Sequence, residues 1–133
     1  MGNIVKESMY GSQFGILNGA VESRGNQIGV FNGTNDLKGS QFGIGNSARN
    51  SRGSQVGVGN ITLEEQVGLQ IGIVNFAGRG NHTQVGLLNL RGSEGDFTQI
   101  GLVNFGGRGK WYEKVSFFYR SGRTKKPVET PAQ

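Results

Sequence analysis

Apolar residues in this chain come in pairs, each pair split by a glycine and flanked by amides. The first frame reads Gln13-Phe14-Gly15-Ile16-Leu17-Asn18, and it returns at Gln27, Gln41, Gln55, Gln70, Gln84 and Gln99. Successive frames are 14, 14, 14, 15, 14 and 15 residues apart. Each has Gly two places after the Gln and Asn five places after it. All fourteen residues at places +1 and +3 are Phe, Ile, Val or Leu. Self-similarity at a short fixed period is the mark of a repeat architecture.

Alternation with period two inside each frame predicts a strand. The strand carries Phe14, Ile16 and Asn18 on one face and Gln13, Gly15 and Leu17 on the other. The eight or nine residues between each Asn and the next Gln are polar and rich in Gly, Ser and Arg. That is long for a hairpin loop, but it accommodates a turn, a short return strand and a second turn. The predicted fold is all-β: a parallel β-solenoid of seven coils of 14–15 residues, about 34 Å tall at ~4.8 Å per coil. An antiparallel β-meander is the alternative, because Asn18-Gly19 and Asn32-Gly33 are hairpin-type dipeptides.

Parallel stacking places identical residues above one another. It predicts one amide ladder of Gln13, Gln27, Gln41, Gln55, Gln70, Gln84 and Gln99, and another of Asn18, Asn32, Asn46, Asn60, Asn75, Asn89 and Asn104. The glycine between them permits close approach of another layer, or a bend. The fourteen apolar residues are the expected core. The chain divides into an N-terminal edge segment (1–10), the solenoid (11–109), an aromatic capping segment (110–122) and a basic disordered tail (123–133).

The frame Gln-x-Gly-x-x-Asn followed by x-Ala resembles the curlin repeat of bacterial amyloid fibres. Ala20, Ala48 and Ala77 match the Ala place, Thr34 and Thr62 match it more loosely, and Arg91 and Gly106 depart from it. The match covers half of a curlin unit. The runs GLQIGIVNFAG and FTQIGLVNFGGRGKWYEKVSFFYR are similar to bacterial surface-repeat proteins, which have QIGLxN units and an aromatic segment after the last one; this covers roughly residues 11–120. The resemblance implies a solenoid at a cell surface and amyloid-like fibril formation. It brings no activity and no cofactor.

Composition sharpens the picture. Glycine supplies 25 of 133 residues and cysteine none, which excludes disulfides, thiolate metal sites and a cysteine nucleophile. There is no apolar run long enough for a membrane-spanning helix and no signal-peptide pattern at the start, so a native Met1 implies a cytoplasmic protein. The net charge of +5 is uneven: residues 1–105 hold seven basic and seven acidic side chains, and residues 106–133 hold seven basic and two acidic. Cations gathered in one terminal segment, with none in excess on the body, argue against a nucleic-acid-binding face but allow a tail that contacts a polyanion.

Candidate chemistry is sparse. His82 lies in a Gly-Asn-His-Thr linker and reads as a surface turn residue; Glu64-Glu65 and Glu94-x-Asp96 read as solvated loop carboxylates. The Gly106–Lys110 stretch is close to a phosphate-binding loop but lacks its first Gly, and Trp111 stands where Ser or Thr is required. Neither carboxylate pair has calcium-site spacing. No catalytic residue, metal ligand or cofactor is predicted, and no enzymatic activity.

The sequence therefore points to a structural, self-associating solenoid, dimeric or filamentous. A monomeric scaffold whose basic C-terminal end contacts an anionic partner is the alternative. Val74, Phe76, Leu88, Leu90, Val103 and Phe105 make the last three frames apolar on both faces. They are the candidate interface with another chain, or the surface over which the aromatic segment 110–120 folds as a cap.

Overall fold

The computed structural model describes residues 1–92, 94–107 and 115–123. Its strands are β1 (Gly2–Phe42), β2 (Gly45–Val56), β3 (Gly59–Arg79), β4 (His82–Arg91), β5 (Phe97–Gly106) and β6 (Val115–Gly122). They form one sheet in chain order. β1 to β5 pair in parallel, so the fold is a β-solenoid and the meander is excluded. The long β1 and β3 hold more than one coil each and run on through their corners.

Register follows the repeat. Asn32 pairs with Asn46, Gln41 with Gln55, Asn75 with Asn89 and Gln84 with Gln99. The linker after each Asn is a return strand in register as well, Leu37 on Ser51 and Ser40 on Ser54. One of the longer units absorbs its extra residue as a register shift between Ala48 and Ser51, beside Glu64 and Glu65.

The inside of the coils is polar, which overturns the expected apolar core. Gln27, Gln41, Gln55, Gln70, Gln84 and Gln99 are fully buried, as are Asn60, Asn75, Asn89 and Asn104. Of the fourteen apolar residues at places +1 and +3, none is buried. The reason is a corner. Chain direction changes at places +2 to +4, visible as breaks after Phe42 and Val56. The residues at +3 and +4 then both face outward, and Gln, Gly and Asn all face inward. A Cβ on the inward Gly57 would lie 2.1 Å from the Gly43 carbonyl oxygen and 2.7 Å from Asn46 Nδ2, so no side chain fits at place +2. At the opposite corner Gly68 adopts φ 129°, the left-handed region open to glycine.

Two further inward columns add to the lumen. Place +7 holds the buried Thr34, Ala48, Thr62, Ala77, Arg91 and Gly106. Ser23, Leu37, Ser51 and Gln66 line the return strand. Leu37 sits between two serines whose hydroxyls have no partner, because an alkyl group cannot continue a ladder.

Residues 2–10 are strand, and Asn3 belongs to the ladder: its Nδ2 donates to Asn18 Oδ1 at 3.0 Å and to the Phe14 carbonyl at 2.7 Å. At the other end β6 pairs antiparallel with β5, from Phe97 opposite Gly122 to Phe105 opposite Val115. This strand covers the backbone edge of the last coil, but Phe117, Phe118 and Tyr119 remain exposed. Those three rings do not blanket the apolar patch. Trp111, Tyr112, most of the phosphate-loop-like stretch and the tail 124–133 lie outside the described residues.

Candidate self-association surface

Each Gln Nε2 donates to Oε1 of the Gln one coil before it, at 2.8 Å in every step from Gln27 to Gln99. The Asn ladder runs the opposite way. Each Asn Nδ2 donates to Oδ1 one coil after it at 2.8–2.9 Å, from Asn18 to Asn104. Two ladders of opposed sense let their side-chain dipoles offset one another along the column. The second Asn hydrogen goes to a backbone carbonyl of the following coil, as in Asn46 to Val56 at 2.9 Å. The second Gln hydrogen crosses the lumen to the carbonyl at place +6 of its own coil, 3.0 Å for Gln70 to Phe76 and 2.9 Å for Gln84 to Leu90. Both amide hydrogens are used in the central coils, as at Gln41, Gln55, Gln70 and Gln84, which meets the demand that buried polar groups be paired. Gln99 Oε1 at the last coil has no partner.

Satisfying the amides inside leaves the apolar columns outside. Ile16, Ile44, Val58, Ile73, Leu87 and Leu102, at the corner, are 47–54% exposed. On one side of this corner lies place +1, apolar in every coil. On the other lie places +4 and +6, where the six candidate interface residues stand. Val74 and Phe105 are 40% and 37% exposed, and Phe76, Leu88, Leu90 and Val103 are half-buried. In the first four coils the same two places are mostly small: Gly19, Gly33, Ser47 and, at +4, Gly45 and Gly59. There they line an open apolar hollow of about 460 Å³ between Leu17, Phe31 and Ile61.

Charge is kept off this corner. On the return strand Glu22 accepts from Lys38 Nζ and Arg24 Nε at 2.8 Å each and from Ser8 Oγ at 2.9 Å. Lys38, then Arg24 and Ser8, hold its carboxyl down at about 2. Glu64 and Glu65 lie 3.9 and 3.8 Å from Arg49 and Arg52, and Asp96 lies 3.2 Å from Arg123.

His82 is not a surface turn residue. It is 5% exposed, with Nδ1 3.0 Å from the Gly80 carbonyl and no partner for Nε2. It pairs across the ladder with Phe97, and burial pushes its pKa down to about 4. Nothing in the residue pattern marks it, because the return strand on which it lies has no apolar periodicity. Arg91 is likewise inside, its guanidinium stacked 3.8 Å from the Phe97 ring centroid and its Nε and Nη2 without hydrogen-bond partners. Burial, and secondarily Arg120, lowers its pKa. Room for it exists because place +7 of the next coil is Gly106, whose Cβ would fall 2.3 Å from Arg91 Cγ.

Among the described residues no three His, Cys, Asp or Glu side chains gather as a metal site, and no helix is long and apolar enough to cross a membrane. Compared with protein-family models, curated proteins and solved structures, the chain matches none of them. The fold and surface together define a β-solenoid with an amide interior and an apolar outer corner.

Proposed function

We propose that this chain is a structural protein that associates with copies of itself through the apolar corner of its solenoid. The observation that supports this is the pair of unbroken outward columns at places +1 and +3, fourteen Phe, Ile, Val and Leu residues none of which is buried. At about half exposure and ~150 Å² each they present on the order of 1,000 Å² of apolar surface, beyond the few hundred typical of a monomer. A soluble single copy would hold that area against water at ~25 cal/mol per Å². Covering it with an identical column matches the repeat, since both surfaces carry side chains every ~4.8 Å.

Light scattering across a concentration series tests the reading. The mass is expected to rise above the 14.2 kDa of one chain, and negative-stain images to show paired rods or filaments. A mass that stays monomeric up to hundreds of micromolar would refute self-association.

A further inference from the structure

The two faces that meet at the apolar corner differ in information content. Place +1 is apolar and similar in every coil, so it can adhere in any register. The face formed by places +4 and +6 is graded along the column. From the first coil to the seventh, place +6 reads Gly19, Gly33, Ser47, Ile61, Phe76, Leu90 and Phe105, and pairings such as Gly33 on Ser47, Ser47 on Ile61 and Leu90 on Phe105 fix the order. One half is a hollow and the other a ridge.

We infer that this face pairs with the same face of a second copy in antiparallel orientation, about a twofold axis through Ile61. The inference rests on the self-association reading above and specifies its geometry. A twofold axis lying in the interface and perpendicular to the solenoid reverses the column and leaves each place opposite itself. Coil one then meets coil seven, two meets six, three meets five, and four meets itself. At place +6 this sets Gly19 against Phe105, Gly33 against Leu90, Ser47 against Phe76, and Ile61 against Ile61. Place +4 is mixed: Gly45 meets Val74, but Leu17 meets Val103, Phe31 meets Leu88 and Gly59 meets Gly59. At place +6 large meets small at three levels of four and the fourth is a matched aliphatic pair, and summed over both places every level holds two or three large side chains with one or two small ones.

A parallel twofold fits badly. It sets place +6 opposite place +4 at the same level, which suits Leu17 on Gly19, Phe31 on Gly33 and Ile61 on Gly59. But it leaves Ser47 facing Gly45 across a void and stacks only large residues at the last three coils, as in Phe76 on Val74 and Leu90 on Leu88. The hollow also has space at Gly33 for Leu90, since a Cβ there meets nothing within 4 Å, whereas one on Gly45 would lie 2.8 Å from the Phe31 ring. The strip is about 34 Å by 10 Å at ~4.8 Å per coil and ~3.3 Å per residue. Two copies bury on the order of 700 Å², in the range of weak, transient interfaces, so the pair forms at high protein concentration.

The absence of cysteine makes disulfide trapping clean. Gly33→Cys and Leu90→Cys chains are mixed near the dissociation constant, oxidised with diamide, and compared with each single variant alone. The geometry predicts a cross-linked heterodimer from the mixture and little from either variant by itself. Ile61→Cys alone is expected to cross-link with itself, because position 61 lies on the axis, and it guards against misfolding of the other two. Sedimentation of the unmodified chain is run alongside. A dimeric mass without the 33-to-90 and 61-to-61 bonds would overturn the antiparallel geometry and leave self-association standing. A monomeric mass would overturn both.

Discussion

Replacing Gln55 with Ala tests which residues hold the column together. In the native lumen Gln55 donates to Gln41 Oε1 at 2.8 Å and to the Ile61 carbonyl at 3.4 Å. It accepts from Gln70 Nε2 at 2.8 Å and Thr62 Oγ1 at 3.0 Å. Truncation strands Gln41 Oε1 and removes the ladder bond of Gln70. At about 1–3 kcal/mol per buried group left unpaired, the cost is about 2–6 kcal/mol before any cavity term. Ile44→Ala, one coil away and on the outside, removes a side chain already 54% exposed, and about 1 kcal/mol is lost. The assay is urea unfolding followed by circular dichroism, at a concentration where sedimentation gives the mass of a single chain. The amide deletion is expected to cost at least 2 kcal/mol more than the aliphatic one. Gln55→Leu separates volume from hydrogen bonding and should be no better than Gln55→Ala. If Ile44→Ala proved the more damaging, or Gln55→Leu restored stability, the apolar residues would be the core and the polar-lumen account would fail.

Three other outcomes follow from named contacts. Gly57→Ala forces a Cβ to 2.1 Å from a carbonyl oxygen, whereas Gly59→Ala places one in open space; thermal melts should show the first variant losing several kcal/mol and the second within about 0.5 kcal/mol of the parent. His82 is held neutral, its pKa moved from 6.5 to about 4, so the unfolded chain binds the extra proton between those values. Stability is therefore full above pH 6.5 and falls, by up to about 3 kcal/mol, as pH drops towards 4. Denaturation across that range should flatten in His82→Phe, while loss of the Glu22 contacts belongs to a lower window, from 4.5 down to about 2. Arg91 keeps a partly unpaired guanidinium inside the lumen, and Arg91→Met should leave Tm unchanged or raise it, because an apolar group of similar volume removes the desolvation penalty. A fall of more than a few degrees would mean the cation is needed.

Much of the architecture can be read from spacing. The period of 14–15 residues and the identity of Gln, Gly and Asn in each frame require coils stacked in parallel register, and both ladders form where that register places them. The facing of the strand is misread because the frame looks like uninterrupted alternation. Gln and Asn are five places apart, an odd offset, and an unbroken strand would put them on opposite faces. Two self-stacking amide ladders inside one narrow lumen need a corner between them, and that odd offset is the signal that reveals it. The buried places of His82 and Arg91 had no such signal, since return strands carry varied residues and their inward positions are set by corners whose location shifts in the last coils. Asn3 was missed because its frame lacks the Gln and Gly that mark the others.

Parallel stacking at ~4.8 Å decides what belongs inside. Every lumen residue sits on its own counterpart, so the groups favoured there are those that bond to themselves in a line. An amide donates one way and accepts the other, and gains a bond for every coil added. An isoleucine in the same place gains only contact. The apolar residues are displaced to the outer corner, where stacking leaves them unprotected. If the chain self-associates as proposed, folding and assembly draw on different sets of residues. Amides and glycines hold the coil, and Phe, Ile, Val and Leu are left for another surface. Substitutions at place +6 can then change association with little effect on stability, and substitutions at Gln or Asn do the reverse. In a protein with an apolar core the two effects are tied together, because the residues that would build an interface are the ones that fold the chain.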